Sequence, residues 1–211
     1  MSITAMGAGA SGLKRIAAMA AAVFLASSVV ASAASVVTSG VLPGEAILNP
    51  IASATTGAVY QNVTGSIGGL RRSPWQSSNS TVNYNDADAW YSSVSGKSTA
   101  TYDFGAKQKT LSFVWGSPDR YTDLDIDLIS GGTVLTLNGT DMVPPGVLGS
   151  TSALVTISDI LFDRVVFRSG RNAFEYANVV STAAVPLPAA GLMLMGGLGG
   201  LRLVSRRRQK T

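Results

Sequence analysis

The sequence predicts an all-β protein, an antiparallel β-sandwich of the jelly-roll type, flanked by an N-terminal signal helix and a C-terminal hydrophobic sorting helix. Three observations lead to this fold class. Segments in which apolar and polar residues alternate recur roughly every 10–15 residues, as in short strands with one buried face. Stretches rich in glycine and proline separate these segments. No helical period persists between residues 34 and 184, so no long helix is expected there.

The first element is a predicted secretory signal peptide over residues 1–33. Lys14 and Arg15 precede an apolar run over residues 16–30, and Ala31-Ser32-Ala33 follows it. A basic start, a short apolar core and a small-x-small exit are typical of signal peptides. Cleavage is expected after Ala33. The alternative is an N-terminal membrane helix, but about 15 apolar residues is short against the roughly 20 that span a bilayer.

Residues 34–184 form the predicted domain, and its strands are recognised by a two-residue period. The domain opens with a loop-like stretch to residue 50 that holds at most one short edge strand. Residues 65–85 are predicted as a long loop, a length that is usually functional or disordered. The strand candidates share β-branched or aromatic residues and cover residues 58–64, 98–104, 111–115, 123–128, 133–137, 153–157, 163–168 and 173–180.

The connections between these strands are also predicted. Residues 105–107 are expected to turn one hairpin, and Gly131-Gly132 a second one. Three aspartates alternate with leucine and isoleucine over residues 123–128, which predicts a solvated acidic face that blocks edge pairing. Residues 181–184 are small and are predicted as a linker.

The last segment, residues 185–211, combines a proline motif, a short apolar run and a basic end. Prolines are tolerated at or before the first turn of a helix. The apolar run begins at residue 190 and has about 15 apolar residues, fewer than the roughly 20 of an ordinary spanning helix. The basic cluster after it favours an orientation with the domain on the far side of the membrane. The residues that define the two ends of the segment are Val185, Pro186, Leu187, Pro188 and Ala189, and Arg206, Arg207 and Arg208.

This order of motif, apolar run and arginine cluster resembles the PEP-CTERM class of bacterial sorting signals, in the variant that reads Val-Pro-Leu-Pro-Ala. The resemblance implies recognition and cleavage by an exosortase-type membrane peptidase. It also implies a transient stay in the inner membrane through the C-terminal helix, followed by delivery to the cell surface or the outside. The alternative is a tail-anchor helix that is never cut.

Part of the domain resembles the ectodomains that often precede such tails. The matching stretches are residues 102–105, 111–121 and 172–179. The resemblance implies a sandwich fold and an association with extracellular polysaccharide. Ala177 stands where the related strand usually has aspartate, so an ion site of that pattern would lose one ligand.

Composition excludes several classes of function. The chain has no cysteine and no histidine, which excludes zinc sites with such ligands and histidine-based triads. Of the 16 basic residues, seven lie in the two end segments, which leaves nine against 12 acidic residues and a net charge of −3 for the domain. Nucleic acid is therefore not an expected partner, because it requires a basic face.

Two candidate sites follow from residue types. Trp75, Trp90 and Tyr91 lie in or beside loops and could stack on sugar rings. Asp119, Glu175 and Asn178 could supply oxygens to calcium, an ion that takes six to eight of them. No other cofactor is expected.

The function predicted from these features is an exported, non-catalytic surface or extracellular-matrix protein. Its expected partners are the export machinery, an exosortase-type peptidase and, through the resemblance, extracellular polysaccharide. One alternative is a carbohydrate-binding module. A third is a glycoside hydrolase that uses paired carboxylates, for which Asp86 with Asp88 or Asp163 with Glu175 are the candidates.

Overall fold

A computed structural model describes residues 33–145 and 151–184 of the chain. Strands dominate this part, and no helix in these two ranges is both long and apolar enough to cross a membrane. A 3-10 turn covers Pro74–Gln76 and a single helical turn, α1, covers Gly139–Met142. The strands are β1 Ser35–Ser39, β2 Ala54–Val63, β3 Tyr91–Gly116, β4 Leu124–Ser130, β5 Thr133–Asn138, β6 Ala153–Ser158, β7 Phe162–Ser169 and β8 Phe174–Ala183.

All eight strands join one curled antiparallel sheet, which confirms the predicted all-β class. The strand order is β1-β6-β3-β7-β4-β5, and β2 and β8 also pair with β3. The pairing shows the all-β class, whereas the sandwich of two packed sheets stays a prediction. The predicted flanking helices, the proline motif at residues 185–189 and the basic end at residues 206–208 lie outside the described residues.

Strand β3 organises the sheet because it is 26 residues long and changes neighbours along its length. Its first half pairs mainly with β2 and β7, its second half pairs with β6, and β8 pairs with both ends. The predicted hairpin at residues 105–107 is therefore wrong, since no pairing joins the two halves of β3. Tyr176 of β8 lies opposite Ser92 on one side and Trp115 on the other, so β8 connects the two ends of β3 and the sheet curls.

The core is aromatic. Tyr102, Phe113, Trp115, Phe167 and Tyr176 are all buried. The rings of Phe167 and Tyr176 stack at 4.1 Å, and the hydroxyls of Tyr102 and Tyr176 share a hydrogen bond of 2.8 Å. Aromatic pairs add about 0.5–1.5 kcal/mol beyond the area that they bury. This packing stabilises a chain that has no cysteine to cross-link.

The second predicted hairpin is confirmed, but the predicted role of its aspartates is wrong. Strands β4 and β5 pair from Asp125 to Ser130 around Gly131-Gly132. However, β4 also pairs with β7, so it is not an edge strand. Asp127 is only 6% exposed, forms an ion pair with Arg168 and accepts a hydrogen bond from the Thr136 hydroxyl at 2.7 Å.

The predicted linker at residues 181–184 is also wrong. Strand β8 extends to Ala183, and its last residues pair with Gln108, Thr110 and Leu111 of β3. The Ala184 amide donates to the Lys107 carbonyl at 2.9 Å. Backbone pairing does not require large side chains, so small residues at the end of β8 still complete the sheet.

Amide side chains hold the leading segment before β2, which has no strand of its own apart from β1. The Asn178 side chain accepts from the Ile47 amide and donates to the Glu45 carbonyl, both at 2.8 Å. The buried Asn49 side chain donates to the Ser92 hydroxyl at 2.9 Å and accepts from the Val179 amide at 2.9 Å. These bonds attach an irregular segment to the sheet.

Candidate functional site

A cavity of about 480 Å³ opens between the loop after β2 and the start of β8. The loop belongs to the long stretch of residues 65–85, whose length is usually that of a functional or disordered segment. Its lining combines charged, amide, hydroxyl and apolar groups. The lining residues are Ser66, Ile67, Gly68, Gly69, Leu70, Arg71, Arg72, Gln76, Asn172, Ala173 and Glu175.

A tight turn shapes the loop side of the cavity. The Ile67 amide donates to the Arg71 carbonyl at 2.9 Å, and the Arg71 amide donates back to the Ile67 carbonyl at 3.0 Å. Gly69 has a φ of +74° in this turn, a conformation that glycine adopts without steric cost. The turn therefore places two glycines along the cavity.

Arg71 fixes the base of this turn. Its guanidinium donates to the Tyr91 hydroxyl at 2.6 Å and to the carbonyls of Thr64 and Gly65 at 3.3 Å. It also lies 5.5 Å from the ring centre of Tyr60 and 5.7 Å from that of Tyr91, which adds cation–π attraction. These bonds all come from Nη1, while the buried Nε of Arg71 has no hydrogen-bond partner among the described residues.

Glu175 is the main ionisable group on the β8 side of the cavity. It is 6% exposed, and its Oε1 accepts from the Arg72 amide at 2.8 Å. Burial raises the pKa of Glu175 from 4.5 to about 7; the Arg72 amide opposes this shift and the charge of Asp119 adds to it. The carboxyl therefore changes its charge near neutral pH.

Two of the three predicted glycan contacts are buried in this structure. Trp75 is 1% exposed, and its Nε1 donates to the Trp90 carbonyl at 2.9 Å. Tyr91 is fully buried, and its hydroxyl donates to the Gly65 carbonyl at 2.6 Å. A sugar cannot stack on such rings. The prediction that Trp75 and Tyr91 contact a glycan is therefore wrong, and both are core residues. Trp90 alone keeps part of its surface exposed.

The three predicted calcium ligands do not form one site. Both polar atoms of the Asn178 side chain are bonded to Glu45 and Ile47, away from the cavity that Glu175 lines. Across residues 33–145 and 151–184, no three acidic side chains come close enough together to hold a metal ion. Asn178 is therefore removed from the predicted set of ligands, and calcium binding by the chain stays a prediction.

Of the paired carboxylates considered for hydrolysis, Asp163 and Glu175 line different cavities. Asp163 forms an ion pair with Lys107 and lines a separate cavity with Asp103 and Arg164. Asp86 accepts from the Asn83 side chain at 2.9 Å. A glycoside hydrolase needs two carboxyl groups within roughly 5–10 Å across one cleft. Asp163 and Glu175 do not share a cleft.

Sequence reasoning missed most of the cavity. Arg71, Arg72, Gln76 and Asn172 were not predicted as site residues. The available indication was the Gly68-Gly69 pair followed by two arginines within a long loop. The partner stretch at residues 172–175 is about 100 residues further along the chain, so no local pattern connects the two.

Comparisons with protein-family models, with curated proteins and with solved structures found no match. The function is therefore inferred from the residues and geometry of the chain itself.

Proposed function

We propose that this chain is an exported, non-catalytic protein of the bacterial cell surface or extracellular matrix. Residues 1–33 direct export, residues 34–184 form a sandwich-type ectodomain, and residues 185–211 are a sorting segment. An exosortase-type membrane peptidase recognises that segment and cuts it. The second predicted function, a carbohydrate-binding module that uses Trp75 and Tyr91, is not retained in that form because both rings are buried.

The position of the sheet relative to the predicted processing sites is the observation that carries this proposal. Strand β1 begins at Ser35, two residues after Ala33, and β8 ends at Ala183, two residues before Val185. Removal of either end segment would leave every strand of the sheet intact. A folded domain that fits between two targeting segments supports export and sorting.

The same boundary limits where the tail can be cut. A protease needs access to the backbone of its substrate, and the backbone up to Ala184 is already hydrogen-bonded to β3. The scissile bond therefore lies after Ala184, within or beyond the motif at residues 185–189.

The proposal is tested by removing the charge of the tail in a bacterial host that has an exosortase. Arg206, Arg207 and Arg208 are replaced together by glutamine. We expect the variant to stay unprocessed or to be misoriented, because the basic end positions the segment in the membrane. The measurement is the size of the chain in the membrane and exported fractions.

A matched control replaces three exposed basic residues of the domain by glutamine: Lys97, Lys109 and Arg120. This control changes the net charge equally and should be processed as the wild type is. Normal processing of the tail variant would contradict the sorting proposal.

A further inference from the structure

We propose that the cavity between the residue 66–76 loop and the start of β8 binds a neutral sugar unit of a polysaccharide, with Glu175 as its main polar contact. This site uses none of the aromatic residues that the sequence suggested. It goes beyond the sorting proposal and does not depend on it.

The first argument is that the buried carboxyl group of Glu175 has few hydrogen-bond partners within the protein. Buried carboxylates are normally paired with a cation, because an isolated buried charge costs several kcal/mol. Among the described residues, Glu175 has no ion-pair partner and receives one hydrogen bond from another residue, the Arg72 amide. A carboxyl group that lines a cavity can accept further donors there, and such groups are typical of ligand sites.

The second argument concerns charge. Arg71 is bonded to Tyr91 and to two loop carbonyls, and Arg72 donates to the Gln76 carbonyl at 3.3 Å. The two guanidinium groups disfavour a cationic ligand, and the ionised form of Glu175 disfavours an anionic one. A neutral ligand that brings its own hydroxyl donors avoids both penalties.

The third argument is the mixture of surfaces. A volume of about 480 Å³ falls in the range of roughly 300–1,000 Å³ that is usual for small-ligand sites. The amides of Gln76 and Asn172 provide donors and acceptors, while Leu70 and Ala173 provide apolar contacts. A pyranose ring presents the same mixture, with hydroxyls at its edge and C–H groups on its faces.

The test uses the full-length chain, purified in a detergent without a sugar headgroup. Saturation-transfer NMR and calorimetric titration are carried out with glucose, galactose and mannose, and with glucuronate and glucosamine as charged comparisons. We expect at least one neutral hexose to bind more tightly than either charged sugar. Because the unprocessed chain is used, the result is independent of tail cleavage.

Two variants address the cavity. Glu175→Gln retains an acceptor for the Arg72 amide. At pH 8, where Glu175 is ionised, it should weaken hexose binding about tenfold, the effect of losing a hydrogen bond to a charged group. Gly68→Leu adds a side chain at a lining position where a Cβ meets no atom within 4 Å and φ is not positive. It should block binding without disturbing the fold, as circular dichroism can verify.

Asp163→Asn is the matched control, since it removes a carboxylate that lines a different cavity. It should bind as the wild type does. The proposal is overturned if none of the three hexoses binds, if a charged sugar binds more tightly, or if hexose binding survives both Glu175→Gln and Gly68→Leu.

Discussion

Glu175 and Asn178 lie three residues apart on β8, yet their side chains act in different parts of the molecule. Glu175 accepts from the Arg72 amide, which is 103 residues away in the sequence. Asn178 accepts from the Ile47 amide, which is 131 residues away. A sequence pattern groups residues by local spacing, so it placed both in one calcium site. Partners at such distances can be found only from the folded chain.

The raised pKa of Glu175 predicts how stability depends on pH. Between pH 4.5 and about 7 the folded protein holds this proton while the unfolded chain releases it. The contribution of Glu175 therefore makes the free energy of unfolding fall as pH rises through this window. Glu175→Gln removes the effect. We expect the free energy of unfolding of the variant to exceed that of the wild type by at most about 3 kcal/mol at pH 8. Near pH 4.5 the two free energies should be similar.

Urea unfolding of both proteins at pH 4.5 and pH 8 provides the measurement. Asp163→Asn serves as the control for loss of a carboxyl group outside the cavity. A Glu175→Gln variant that loses the same stability at both pH values would rule out a buried, proton-exchanging carboxyl.

Asn178 is expected to stabilise the leading segment through its two hydrogen bonds. Its φ is +51°, so Asn178→Gly relaxes the backbone while removing both bonds, and Asn178→Ala removes them and adds strain. We expect the free energy of unfolding to fall by about 2 kcal/mol in the glycine variant and by about 3 kcal/mol in the alanine variant. Urea unfolding provides the measurement. A glycine variant as stable as the wild type would show that these bonds contribute nothing.

At the scale of elements, the two-residue period located strands β2 to β8, although it divided β3 into two. The predicted strands at residues 98–104 and 111–115 both fall within β3, and Tyr102, Leu111 and Phe113 are buried as their alternation requires. The neighbours of each strand were not predictable in the same way. Pairing depends on backbone hydrogen bonds that any side chain permits, which is why the hairpin at residues 105–107 and the linker at residues 181–184 were wrong.

The connection from β5 into α1 provides a prediction at this scale. The Gly139 amide donates to the Tyr121 carbonyl at 2.9 Å, and a Cβ at Gly139 would lie 2.3 Å from the Asp119 carbonyl oxygen and 2.6 Å from that of Tyr121. Backbone atoms cannot move aside as a flexible side chain does. Gly139→Ala should therefore lower the free energy of unfolding by about 3 kcal/mol, which is measured as a lower thermal midpoint.

Gly132→Ala in the β4–β5 turn is the matched control. A Cβ at Gly132 meets no atom within 4 Å, and φ there is not positive, so the midpoint should change little. Equal midpoints for the two alanine variants would show that the chain at residues 119–121 does not approach Gly139 this closely.

At the scale of the whole molecule, different features were predictable for different reasons. Export and sorting segments are defined by composition and order, so a sequence can indicate them directly. The cavity depends on contacts between residues 66–76 and residues 172–175, which only the curled sheet brings together. The strands end close to both predicted processing sites, and this agreement links the two kinds of inference.

The most direct test of the account is the intact mass of the chain recovered from the cell surface or medium of a bacterium that has an exosortase. We predict a product that lacks residues 1–33, retains Ala184 and has lost part of residues 185–211. Recovery of the chain only at its full-length mass of 21.7 kDa would contradict the proposal that both ends are processed.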